Sequence, residues 1–197
     1  MFGWINFISF VVSMIAWSWL YLESLQPMKK KEKKGEAAWK FCENLRIAAG
    51  SVMFITFANY ILTIWYPIPW DATVSERYWI SLVIGFGIGS IFSPIMIMGL
   101  IDAGKESKTP GAAKKIHSGI YKYIRHPQVL GDWPLFVVLA LFANSWILCI
   151  LSITFIIIYT PIMIILEERD LVKRFGDSYR EYQKTTGVLF PKLINKE

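Results

Sequence analysis

Apolar residues in this chain come in long blocks instead of alternating with polar ones. Residues 2–22, 45–66 and 79–101 are three such blocks. Each is close to the ~20 residues that a helix needs to cross a bilayer. Trp4, Trp17, Trp19 and Tyr21 flank the first, and Trp65-Tyr66-Pro67-Ile68-Pro69-Trp70 closes the second. Aromatic residues at the ends of a span suit the headgroup region. A fourth apolar run, 132–143, is too short to cross alone and is broken by Asn144-Ser145; 146–166 is again full length. Pro127 suits the first position of a helix, so 127–166 predicts a helical hairpin whose tip reaches the opposite face. Beyond Glu168, Leu171, Phe175, Tyr179 and Tyr182 recur at helical spacing, interrupted by Gly176. That pattern predicts one or two amphipathic helices lying on the membrane or folding back over the preceding loop.

The expected fold is therefore an all-α integral membrane protein. It has five transmembrane helices, the last two a helical hairpin, and cytoplasmic amphipathic C-terminal helices. Residues 1–101 form a three-helix anchor and 102–197 the loop, hairpin and tail of the same integrated domain. Composition agrees, with 54% apolar and only 18% charged residues. The first block lacks a charged leader and a cleavage site, so it reads as a retained helix. Of the 21 Lys and Arg, all but Arg77 fall on one side if five spans are counted with the N-terminus outside. Such a bias places the polar loops and the tail in the cytoplasm.

Charge and cysteine usage narrow the chemistry further. The net charge of +6 comes from cations beside apolar runs, Lys29 to Lys34 above all. There they set topology and attract anionic headgroups, which argues against nucleic acid as a partner. Cys42 and Cys149, with His117 and His126, cannot assemble a structural zinc site, and no metal is expected. Gly85-Phe86-Gly87-Ile88-Gly89-Ser90 follows no strand, so Gly85 and Gly89 read as a small-residue stripe for helix packing.

The candidate chemistry lies in a polar stretch between two apolar blocks, Ser118-Gly119-Ile120-Tyr121-Lys122-Tyr123-Ile124-Arg125-His126-Pro127-Gln128-Val129-Leu130-Gly131, and in Glu167-Glu168 at the end of the last block. Polar groups where chain leaves lipid are costly unless paired or wet, which makes their clustering a sign of function. Taken alone, a glutamate pair at a helix end is a solvated interface, and Tyr121 and Arg125 one turn apart are an interfacial anchor.

Together and in order, Ser-Gly-Ile-Tyr, Arg-His-Pro-x-x-x-Gly (125–131), the hairpin, Glu-Glu and Phe-Gly-x-x-Tyr-x-x-Tyr (175–182) resemble isoprenylcysteine carboxyl methyltransferases. The likeness covers residues 104–191. The wider group also contains phospholipid N-methyltransferases and NADPH-dependent sterol or polyprenyl reductases, which stand as alternatives, as does a membrane protein that keeps only the scaffold. The resemblance implies that the C-terminal half wraps S-adenosylmethionine and releases S-adenosylhomocysteine. Ala113, Lys114, Lys115, Ile116, Tyr121, His126, Pro127, Gln128, Val129 and Glu167 would line the cofactor. Arg125 and Glu168 would hold the pocket or orient the acceptor, a prenylcysteine-like carboxylate whose lipid tail enters from the bilayer. By analogy the setting is a prokaryotic cytoplasmic membrane. Three positions depart from the family: Val129 where it has Tyr, Thr186-Gly187 where it has Val-Pro, and Met163 where the eukaryotic transferases place an arginine toward substrate.

Methyl transfer to a carboxylate needs no general base, because that group is ionised at neutral pH. It needs alignment of nucleophile and methyl group at about 3 Å and the exclusion of water.

Overall fold

The computed structural model describes residues 1–104 and 118–192. These form α1 (Phe2–Ser24), α2 (Pro27–Lys34), α3 (Ala37–Trp65), α4 (Tyr78–Ala103), a 3₁₀ turn at Gly119–Lys122, α5 (Pro127–Phe142), α6 (Trp146–Phe175) and α7 (Asp177–Thr185). The protein is an integral membrane protein: α1, α3, α4 and α6 are long and apolar enough to cross a membrane. The expected fifth span is shorter. Helix α5 has 16 residues, about 24 Å at the usual rise, against a hydrocarbon core of ~30 Å.

Two boundaries differ from expectation for the same reason. The lysine run, expected as a loop, is the helix α2, started by Pro27 at its first position and ended by Gly35. The last span does not stop at the acidic pair but continues to Phe175. Lysine, arginine and glutamate are good helix formers, so a helix carries its charged turn along until a glycine ends it.

Helices α1 and α3 run antiparallel and are joined by a polar ladder inside the apolar bundle. Asn6 donates to the Asn59 carbonyl at 3.1 Å and to Thr63 at 3.0 Å, and Thr56 donates to Ser13 at 3.0 Å. Such bonds hold helices where lipid offers no hydrophobic drive. Helix α5 lies along α4 so closely that a Cβ on Gly131 would come within 2.3 Å of the Met96 amide nitrogen. Of the expected glycine stripe, Gly85 sits tightly against Phe142, whereas Gly89 has ordinary contact with Val138. Trp17, Trp133, Phe136, Phe155 and Tyr159 fill the centre between α1, α5 and α6, with ring centroids 4.7–6.3 Å apart. Well-oriented aromatic pairs of this kind add to area burial.

The hairpin tip is pinned at one end of the bundle. Asp71, between α3 and α4, accepts from the Ile147 amide at 3.0 Å and from the Ser145 hydroxyl, and Trp146 N–H donates to the Ala72 carbonyl at 3.0 Å. At the other end the Met28 amide at the start of α2 donates to Asp170 of α6 at 2.8 Å. The candidate site lies at this second end.

Candidate functional site

The polar stretch enters the site through a turn that only glycine can make easily. Gly119 has φ +58°, and a Cβ there would overlap the Asp102 carboxylate. Asp102 accepts from the Ile120 amide at 2.7 Å, which fixes the 3₁₀ turn and directs Tyr121 inward. The Tyr121 hydroxyl donates to the Gly99 carbonyl at 3.3 Å, and Gln128 Nε2 donates to the same carbonyl at 3.2 Å and to Tyr121 at 3.0 Å. One end of α4 thus carries a polar edge made by two residues that the sequence had singled out. Burial pushes the Tyr121 phenol well above its ordinary pKa, and Glu167 adds to the effect.

Arg125 and His126 are the next two links. Arg125 Nε donates to Glu168 at 2.7 Å, and its Nη1 donates to the carbonyls of Gln183, at 3.1 Å, and Thr186. Its backbone N–H reaches the Gly187 carbonyl at 2.8 Å, and that of His126 reaches Val188 at 3.1 Å. The guanidinium therefore ties three pieces together: the loop before α5, the end of α6, and the chain leaving α7. Glu168 is fully engaged, because its second oxygen accepts from Gln183 Nε2 at 2.8 Å.

His126 caps α5 with its ring between the two glutamates, Nδ1 3.3 Å from Glu167 and Nε2 3.1 Å from Glu168. Two carboxylates facing both ring nitrogens require a donor on each, which is the imidazolium. Burial by itself would lower the pKa. The hydrogen bonds and charges of Glu167 and Glu168 outweigh it and raise His126 to about 9.

Exposure separates the roles. The side chains of Arg125 and His126 are 6% and 5% exposed, Glu168 15% and Glu167 33%. Glu167 gives one oxygen to His126, and its other oxygen has no hydrogen-bond partner among the described residues. Arg46 of α3 and Tyr21 of α1, whose ring centroid lies 5.9 Å from the Arg46 guanidinium carbon, are within electrostatic range of Glu167. Outside Glu168 an open groove of about 390 Å³ runs past Ile165, Arg169, Val172, Lys173 and Gln183.

The structure brings Tyr121, Arg125, His126, Pro127, Gln128, Val129, Glu167 and Glu168 to one end of the bundle. Ala113, Lys114, Lys115 and Ile116 lie outside the described residues. Several participants had no sequence signal. Gln183 sits beside the noted Tyr182 but belongs to no motif, and the Gly99, Thr186 and Gly187 contacts are made by carbonyls. At Thr186-Gly187, where the family has Val-Pro, the backbone carbonyls meet Arg125, and a Cβ on Gly187 would overlap the Phe190 carbonyl, so the chain here follows a path that needs glycine. Val129 packs against the aromatic core. Met163 is 1% exposed, one turn before Glu167, and forms an apolar floor.

Comparison with known proteins points the same way. The family model for phospholipid methyltransferase matches residues 78–178, from α4 into α7. A methanethiol S-methyltransferase of Pseudomonas deceptionensis is 37% identical over 75 residues, 38% of this chain and 27% of that protein. Methanethiol S-methyltransferase 1 of Bradyrhizobium diazoefficiens is 35% identical over 88 residues, 45% and 29% of the two chains. Methanethiol S-methyltransferase 2 of the same organism is 24% identical over 173 residues, 76% of this chain and 62% of that one. The chain thus spans under a third of the first two relatives and less than two thirds of the last. No solved structure matches. The matched segment covers half of the chain and holds the Arg125, His126, Glu167 and Glu168 cluster, and by it the chain belongs to the phospholipid methyltransferase family.

Proposed function

We propose that this protein transfers a methyl group from S-adenosylmethionine to an acceptor delivered at one face of the membrane. The observation that carries this reading is the cluster in which His126 bridges Glu167 and Glu168 while Arg125 ties Glu168 to the chain after α7. It brings segments far apart in sequence to one end of the bundle and leaves one acidic oxygen uncommitted among the described residues.

The residues present fit that cofactor. Glu167, a third exposed, offers a carboxylate to ribose hydroxyls or an ammonium group. Tyr121 and Gln128 offer a polar edge to a base. Arg125 and Glu168 hold this edge in place. His126 keeps the two glutamates together as a cation and is not free to act as a base. When bound, S-adenosylmethionine supplies an electrophilic methyl group on a sulfonium. The chain's own part is to position the acceptor and keep water away.

Two acceptors follow from different observations. The sequence resemblance favours a lipid-tailed cysteine carboxylate, and Ile165 and Val172 in the groove beside Glu168 give an apolar tail a surface to meet. The relatives' names favour a small thiol. Five crossings, with the N-terminus outside and the site in the cytoplasm of a prokaryotic cell, match the lysine and arginine distribution.

The test uses detergent-purified full-length protein. It should bind S-adenosylhomocysteine and not NADPH, and Glu167→Gln should weaken that binding at least about tenfold, the loss of a hydrogen bond to a charged group. NADPH binding without S-adenosylhomocysteine binding would replace this reading with the reductase one. Methylation assays with a farnesylcysteine analogue, methanethiol and phosphatidylethanolamine then identify the acceptor.

A further inference from the structure

The groove beside Glu168 carries cations that the His126 cluster does not use. Arg169 and Lys173 stand one turn apart on α6 and line the groove together with the apolar Ile165 and Val172. Both cations are exposed. Arg169 has no hydrogen bond or ion pair among the described residues. Lys173 has an ion pair with Glu32 of α2, 3.5 Å long, between side chains 53% and 70% exposed, and a pair that open is worth little. A third cation stands beside the groove: Lys192 Nζ donates to the carbonyls of Gln183, a groove residue, at 3.1 Å and of Lys184 at 2.8 Å. The carboxylate in the groove, Glu168, is already matched by Arg125, His126 and Gln183. Asp170, between the two cations in sequence, is buried and accepts from the Met28 amide. The groove therefore presents positive charge.

Depth along α6 gives that charge a meaning. The helix is apolar as far as Leu166, so Ile165 marks the edge of the hydrocarbon. Arg169 and Lys173 come four and eight residues after Ile165, about 6 and 12 Å further along the axis. Headgroups add roughly 5–7 Å on each side of the hydrocarbon core. Arg169 thus stands at the level of the lipid phosphates, Lys173 at their outer margin, and Ile165 where acyl chains begin. Apolar below and cationic above is the order in which a phospholipid presents its own parts.

We propose that this groove is a binding site for an anionic phospholipid, distinct from the cofactor and independent of the methyl-transfer function. The phosphate sits against Arg169, whose planar fork suits phosphate oxygens, with Lys173 beside it. The start of an acyl chain lies on Ile165 and Val172. A lipid with net negative charge is favoured over a zwitterionic one, because the latter brings its own cation toward Lys173 and Lys192. Gln183 belongs to α7 and donates to Glu168 of α6, so a lipid seated here braces the junction of those two helices.

The test is native mass spectrometry of the detergent-purified full-length protein titrated with phosphatidylglycerol or with phosphatidylcholine of the same chains. The wild type should prefer phosphatidylglycerol, and added salt should weaken that preference. The double variant Arg169→Gln/Lys173→Gln should bind phosphatidylglycerol about 25-fold more weakly, about fivefold for each cation. Arg169→Gln alone, the second variant, should lose about fivefold. Arg180→Gln/Lys184→Gln removes two cations of α7 that already pair with Asp177 and Glu181, and it should leave phosphatidylglycerol affinity unchanged. Equal affinity of the wild type for the two lipids overturns the inference. So does equal weakening by the two double variants, which would mean diffuse surface charge in place of a site. Binding of a farnesylcysteine analogue that is lost in Arg169→Gln/Lys173→Gln, with phosphatidylglycerol binding unmoved, assigns the groove to the acceptor and also overturns it. S-adenosylhomocysteine binding, measured on the wild type alongside, reports separately on the methyl-transfer function.

Discussion

The His126 bridge gives the most quantitative expectation. In the unfolded chain the imidazole titrates near 6.5, and in the fold it titrates near 9. A difference of that size corresponds to about 3 kcal/mol of stabilisation held by the protonated ring. The folded value is the raised one, so this contribution is present in full below pH 6.5 and disappears as pH rises through 9. About half of it should remain near pH 8. His126→Gln removes the charge while keeping an amide that can still donate to one glutamate. The assay is thermal unfolding of wild type and variant in one detergent, from pH 6 to pH 10, read as the difference between them. Titrations common to both proteins then cancel. At pH 6 the variant should melt roughly 6–12 °C lower, from the usual conversion for a domain of this size. The gap should close to near zero by pH 10. A gap that stays constant across that range would refute the protonated bridge and leave His126 as a neutral packing residue.

Two further substitutions test the frame around this bridge. Arg125→Lys keeps the charge but cannot serve Glu168, Gln183 and Thr186 together, because an ammonium lacks the planar fork. It should destabilise the fold by about 3 kcal/mol and speed hydrogen exchange selectively in residues 186–192, which mass spectrometry would locate. Gly131→Ala puts a Cβ against the Met96 backbone and should cost about 1–3 kcal/mol by forcing α4 and α5 apart. Because that contact lies next to the Gln128 and Gly99 pair, S-adenosylhomocysteine affinity, measured by calorimetry, should fall together with the melting temperature.

The long helices were legible because lipid imposes a simple rule. A chain crossing hydrocarbon must be apolar for about 20 residues and satisfy its own backbone, so residues 2–22, 45–66, 79–101 and 146–166 announced themselves. Helix ends were less legible. Apolar blocks mark where lipid stops, whereas α3 and α6 continue through charged turns that are themselves helix-forming. The polar stretch and the glutamate pair could also be recognised, since charged groups beside apolar runs are few enough to stand out.

Only the tertiary structure decided what each polar residue does. Glu167 and Glu168 are neighbours of the same type, and a helix turns adjacent side chains about 100° apart. One therefore meets Arg125 and Gln183 and is fully engaged, while the other meets His126 alone among the described residues and keeps an oxygen to offer. Sequence order determines which residues can lie on one helical face, but pairing across helices depends on how four separate segments pack, and no local pattern encodes that.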